Sequence, residues 1–133
     1  MDPEQTLLAM FDQLDQGNDE GVLSLMTADA VWHRRGQRLH GHGQIRAALQ
    51  ERSSTQRIRH LATNLLQRAT NGDEVNISCY LTALKFDDGQ PHSGPVGVRG
   101  FLRMARVDTR LVRVHGAWRI AEQAIVTEFE FQP

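Results

Sequence analysis

The stretch Arg57-Ile58-Arg59-His60-Leu61-Ala62-Thr63-Asn64-Leu65-Leu66, continued through Asn71-Gly72 into Val75-Asn76-Ile77-Ser78-Cys79-Tyr80-Leu81, decides the fold. Residues 57–69 and 74–87 read as two long strands, and Asn71-Gly72 between them is a strong tight-turn signal. Side chains alternate along a strand, so Ile58, His60, Ala62, Asn64 and Leu66 share one face. Arg59, Leu61, Thr63 and Leu65 share the other. Both faces mix polar and apolar groups, so alternation alone leaves open which one is interior.

Downstream of this hairpin the chain stays β. A polar loop runs from Asp87-Asp88-Gly89 to Gly94-Pro95. Residues 96–107 and 109–115 read as strands separated by a bend near Asp108, and His115-Gly116 turns into a last strand, 117–131. Upstream it is helical. Asp2 is a candidate N-cap before Pro3, and residues 3–16 carry Leu7, Leu8, Phe11 and Leu14 at helical spacing, with Gly17 as a C-cap. Asn18 or Asp19 can cap a second short helix that turns Val22, Leu25 and Met26 inward. Ala30-Val31-Trp32 begins a short β segment with a turn at Arg35-Gly36-Gln37. Gly41 and Gly43 precede a third helix at about 44–52, with Ile45, Ala48 and Leu49 on one face. Helices followed by antiparallel strands predict an α+β fold with helices on one face of a sheet. A curved sheet closed by helices leaves a cavity at its mouth. With no repeat or linker, residues 1–133 are expected to form a single domain.

Composition narrows the function classes. A net charge of -1 over 133 residues gives no concentrated basic face of the kind nucleic acid needs, so no nucleic-acid partner is expected. The start, Met-Asp-Pro-Glu, has no basic and apolar leader, and no apolar run approaches membrane-spanning length. The expectation is a cytoplasmic protein without a membrane partner. Cys79 has no partner for an internal disulfide and reads as a small buried thiol. His40-Gly41-His42 offers two imidazoles, but a zinc site needs three or four ligands at characteristic spacing, so no metal is expected. Arg34-Arg35 and Arg57 with Arg59 read as a solvated face or dimer salt bridges. No nucleotide fingerprint, phosphate loop or nucleophile elbow is present, and no cofactor is expected.

Three segments carry a resemblance. They are Trp32 with Gly41 and Ile45, then Arg59-His60-Leu61-Ala62-Thr63-Asn64, then Gly116-Ala117-Trp118-Arg119-Ile120. In this order and spacing the chain resembles the SnoaL-like branch of the nuclear transport factor 2 superfamily, which includes relatives of scytalone dehydratase, ketosteroid isomerase and the polyketide cyclases. The resemblance covers nearly the whole chain. It implies a cone-shaped, curved antiparallel sheet wrapped by three N-terminal helices, a cystatin-like α+β barrel with an internal pocket.

Scytalone dehydratase and the lindane dehydrochlorinase pair an aspartate near the end of the first helix with a histidine on the first long strand. By similarity these positions fall on Asp15 and His60. The second catalytic histidine of scytalone dehydratase has no counterpart near Leu84-Lys85. The implied activity is cofactor-independent proton abstraction from a small apolar organic substrate, leading to elimination, double-bond isomerisation or aldol-type cyclisation. In that reading Asp15 fixes the tautomer of His60 and favours its protonated form. Trp32 would be a pocket wall, and Asn64, Tyr80 or Asp108 would contact the substrate. Asp108 shares strand parity with Val96, Val98, Leu102 and Met104, taken as an inward face. Alternatives are a non-catalytic ligand-binding or scaffold module, or an accessory subunit similar to the small subunit of ring-hydroxylating dioxygenases. Leu61 and Leu65, on the face away from His60, are expected to support a homodimer through the outer sheet face.

Overall fold

The computed structural model describes residues 1–132. Three helices, α1 (Pro3–Asp15), α2 (Asp19–Ser24) and α3 (Gly41–Gln50), accompany six strands. The strands are β1 (Met26–Arg34), β2 (Gln37–His40), β3 (Arg57–Asn71), β4 (Glu74–Phe86), β5 (Arg103–Val114) and β6 (Ala117–Glu130). A reciprocal capping box starts α1: the Asp2 carboxylate accepts from the Gln5 N–H at 2.8 Å, and the Gln5 side chain accepts from the Asp2 N–H at 2.9 Å. Its buried stripe is Leu7, Met10, Phe11 and Leu14, with Leu8 exposed. The third helix begins at Gly41, whose φ of +81° suits glycine at the abrupt exit from β2.

The sheet order is β2-β1-β6-β5-β4-β3. Two features of the expected architecture are corrected. The sheet does not close into a barrel: β2 and β3 are its two edges, and no pairing joins them among the described residues. The four residues of β2 give a strand of only about 13 Å, too short to zip along the 15-residue β3. Helices cover the space instead, α1 packing on β3 and β6, and α3 on β1 and β2. The sheet is also mixed, because β1 runs parallel to β6 while every other pairing is antiparallel. The architecture is therefore an open, curved α+β sheet with helices on its inner face.

The core lies between helices and sheet. Leu7, Ile45 and Leu49 meet Ile77, Val107, Leu111 and Ile120, all at most 2% exposed. Burying each such side chain contributes roughly 1.5–3 kcal/mol. The β3–β4 hairpin closes through a two-residue loop, Gly72 and Asp73, where the Asn71 side chain accepts from the Asp73 N–H at 3.1 Å. The β5–β6 turn uses His115 at φ +51° and Gly116 at φ +79°, the paired positive angles that suit the right-handed twist of a hairpin. Strand β5 is continuous through Asp108, and residues 96–102 form no strand. No helix among the described residues is long and apolar enough to cross a membrane.

Candidate active site

The last residue of α1 meets the start of β3. Asp15 Oδ1 lies 2.6 Å from His60 Nδ1, and Asp15 Oδ2 accepts from the His60 backbone N–H at 3.1 Å. One carboxylate thus holds both the ring and the strand that carries it. A carboxylate oxygen only accepts, so the proton of the short bond sits on Nδ1 and Nε2 is the nitrogen left to gain or lose a proton. The Asp15 and His60 side chains are 13% and 11% exposed, which shields the bond from water. Phe11 stacks on the imidazole, with ring centroids 6.0 Å apart and planes 28° apart.

A carboxylate at the C-terminal end of a helix opposes the helix dipole, at a cost of roughly 0.3–1 kcal/mol. Cations from elsewhere in the chain offset this. Arg52 Nη1 donates to the Leu14 carbonyl at 3.0 Å, and Arg59 Nη1 to the Asp15 carbonyl at 3.5 Å.

Burial holds the His60 pKa below the ordinary histidine value. The hydrogen bond and charge of Asp15 push the other way, and Arg52 and Arg103 add to the lowering. Asp15 thus acts in the expected direction, favouring the protonated ring, but desolvation outweighs it and the pKa stays below the ordinary histidine value.

His60 lines a cavity of about 900 Å³. Leu14, Trp32, Ile58, Leu81, Ala105 and Ile125 supply apolar wall. Trp32 is 2% exposed, and its indole N–H donates to Gln123 Oε1 at 3.0 Å. Gln123, itself fully buried, donates onward to Thr109 Oγ1 at 3.1 Å. This chain fixes the indole as a rigid wall and leaves no buried polar atom of the three side chains unpaired.

Three expected contacts lie elsewhere. The backbone at Asn64 is left-handed (φ +56°), and the β3–β4 register shifts between Thr63 and Leu66. This bulge adds one residue to β3 and breaks the alternation that put Asn64 beside His60. Asn64 is exposed, and Leu65 turns towards the core instead of the outer face. Tyr80 lies on the outer face, 36% exposed between buried Cys79 and Leu81. Asn64 and Tyr80 border a separate, smaller recess. Asp108 is exposed and accepts from Arg106 at 3.1 Å, because the inward residues of β5 are Ala105, Val107, Thr109 and Leu111. Burial raises the Cys79 thiol to about 11, which makes it an inert core group. His42 Nε2 lies 3.3 Å from the Met26 carbonyl oxygen, and no His, Cys, Asp or Glu cluster with metal-binding geometry occurs among the described residues.

Sequence reading missed the charges in the cavity. Arg34, Arg35, Arg52, Arg103 and Lys85 line it, and among the described residues two carboxylates, Glu51 and Glu130, line it with them. Arg34 was legible in principle, since it shares strand parity with Trp32. Arg103 was hidden by the wrong inward face assigned to residues 96–107.

The family model described as a SnoaL-like domain matches residues 4–123. No curated protein matches the chain. Similar solved structures include that of Rv3472, a protein of unknown function from Mycobacterium tuberculosis, 19% identical with a TM-score of 0.78 over 94% of this chain and 69% of that one. ActVI-ORFA from Streptomyces coelicolor is 16% identical, with a TM-score of 0.78 over 94% of this chain and 93% of that one. A protein from Catenulispora acidiphila in complex with S-DNPA is 22% identical, with a TM-score of 0.73 over 93% of this chain and 89% of that one. At these identities the likeness is one of fold.

Proposed function

This chain belongs to the SnoaL-like family, and from that premise we propose that it is a cofactor-independent enzyme in which His60 abstracts a proton from carbon. The observation that carries the proposal is the Asp15–His60 hydrogen bond of 2.6 Å on the wall of a large cavity. Asp15 keeps the proton on Nδ1, so Nε2 is a base of fixed orientation. A neutral imidazole near pH 7 is ready to accept a proton without first losing one.

The C–H bond adjacent to a substrate carbonyl breaks, its proton goes to Nε2, and its electron pair moves into an enolate. The positive lining of the cavity favours the charge developing on the enolate oxygen. Imidazolium then returns the proton. Delivered to a leaving hydroxyl it completes an elimination with loss of water; delivered to a distal carbon it completes an isomerisation. Delivered to the alkoxide formed when the enolate attacks a second carbonyl, it completes an aldol closure. The role expected of Asn64, Tyr80 or Asp108 passes in this scheme to groups that line the cavity.

The test is hydrogen exchange. A panel of cyclic ketones and β-keto acids is incubated in D2O with the protein and with His60→Ala, and deuterium uptake is read by mass spectrometry. Uptake that depends on the protein and is lost in His60→Ala supports the mechanism. Uptake equal in both proteins, or none across the panel, rejects it in favour of a binding module.

The homodimer is retained as a proposal on Leu61, with Leu66, Val126 and Phe129 in place of Leu65. Leu61, Leu66, Val126 and Phe129 are between 42% and 60% exposed, an apolar set that a second copy would cover.

A further inference from the structure

Several arginines on the outside of this protein are matched by carboxylates. Arg46 pairs with Glu20, Arg106 with Asp108, and Arg110 with Glu74, at 2.7 to 3.1 Å. Those lining the cavity are not. Among the described residues, Arg34, Arg35 and Arg103 have no carboxylate within 4.0 Å and make no side-chain hydrogen bond to protein. Arg52 is the exception that anchors the group. It is held by the Leu14 carbonyl, and its Nε and Nη2 reach the Gln56 amide oxygen at 3.2 and 2.9 Å in that amide's satisfied orientation.

The unmatched arginines come from separate elements. Arg34 ends β1, with its guanidinium 4.8 Å from the Trp32 ring centroid, and Arg103 begins β5. Burial first, then repulsion from Arg35, Arg52 and Arg103, brings Arg34 down to about 10. Arg103 is lowered by burial and by Arg35. The fold thus brings half-buried Arg34 and Arg103 together near exposed Arg35 and leaves their planar donor forks without acceptors among the described residues. Such an arrangement is costly alone and is relieved by an anion.

We infer that the cavity takes an organic acid, whose carboxylate is bound by Arg34 and Arg103 while its apolar body lies along Trp32, Ile58 and Leu81 towards His60. The inference takes the cavity to be the substrate site proposed above and names the class of substrate. A bare inorganic anion would leave most of a space of about 900 Å³ and its apolar wall unused. Two guanidinium groups and a carboxylate make parallel, charge-assisted hydrogen bonds, and an uncharged analogue of the same shape cannot.

The test uses 2-naphthoate and its uncharged isostere 2-naphthamide as probes, titrated calorimetrically into the full chain. Naphthoate is expected to bind at least about tenfold more tightly than naphthamide. That preference should fall to near unity in the Arg34→Gln/Arg103→Gln double variant, chiefly through lost naphthoate affinity. An unaltered circular dichroism spectrum and urea unfolding midpoint check that the variant is folded. Single Arg34→Lys and Arg103→Lys variants, which keep charge but lose the fork, should fall between. Equal binding of the two probes, binding of neither, or a preference undiminished in the double variant overturns the inference. His60→Ala separates the two proposals. Lost deuterium exchange with intact naphthoate preference upholds both, whereas absent exchange in the unaltered protein with the preference intact rejects the base and keeps the anion site.

Discussion

Asp15→Asn removes one charge and almost no volume, and the structure sets what that should do. Asp15 accepts two hydrogen bonds, at 2.6 Å from the His60 ring and 3.1 Å from the His60 backbone N–H. An amide has one acceptor oxygen and one donor NH2, so it satisfies both only if the imidazole moves its proton from Nδ1 to Nε2, and otherwise sets a donor against the ring N–H. A charge-assisted bond contributes about 1.5–3 kcal/mol, and a buried donor left unpaired costs about 1–3 kcal/mol. The helix-terminal carboxylate it replaces opposed the dipole, so roughly 0.3–1 kcal/mol returns. The net expectation is a loss of about 2–4 kcal/mol of unfolding free energy, read from urea denaturation with an unchanged slope. The substitution also withdraws the charge that raises the His60 pKa, leaving burial, Arg52 and Arg103 to lower it further. A variant as stable as the parent, with the imidazole titrating where it did, would refute the claim that this pair anchors the site.

The same geometry sets four further outcomes. The folded pKa of His60 lies below its unfolded value, so between the two the unfolded chain binds more protons. The contribution of the ring to stability is complete above about 6.5 and is lost as pH falls through the folded pKa, which urea titrations at several pH values can read. Deuterium exchange catalysed by the protein should fall on the acid side with an apparent pKa below about 6.5, and Arg103→Gln should move that limb upward by removing a nearby positive charge. Gln123→Leu strands the buried Trp32 N–H and Thr109 hydroxyl and should cost roughly 2–4 kcal/mol in thermal or urea unfolding. His115→Asn, at a left-handed turn position before Gly116, should instead stabilise the fold by roughly 0.5–1 kcal/mol in the same assay.

The legible part of this fold is the part written in local pattern. The Asp2-Pro3 start of α1, the β3–β4 hairpin around Asn71-Gly72 and the His115-Gly116 turn follow from capping and turn chemistry that a few neighbouring residues decide. The partnership of Asp15 with His60, 45 residues apart, has no local signature and is reached through resemblance. What fails depends on longer range. Alternation puts Asn64 beside His60, but one extra residue in β3 turns it away. Asp108 reads as inward when Val96, Val98 and Leu102 are counted as strand and set the apolar face. Those residues precede β5, and within it Ala105, Val107 and Leu111 set the opposite face as the buried one. That choice of face also conceals Arg103 as a cavity group. Closure of the sheet is not legible at all, because it depends on the length of β2 against β3 and on which edges meet.

The state of the His60 ring tests the central claim most directly and needs no substrate. Two-dimensional 15N–1H correlation of the labelled protein at pH 7 should find a neutral imidazole protonated on Nδ1 with a bare Nε2, titrating below about 6.5. A ring already charged at pH 7, or a neutral one carrying its proton on Nε2, would mean that Asp15 does not prepare a base there.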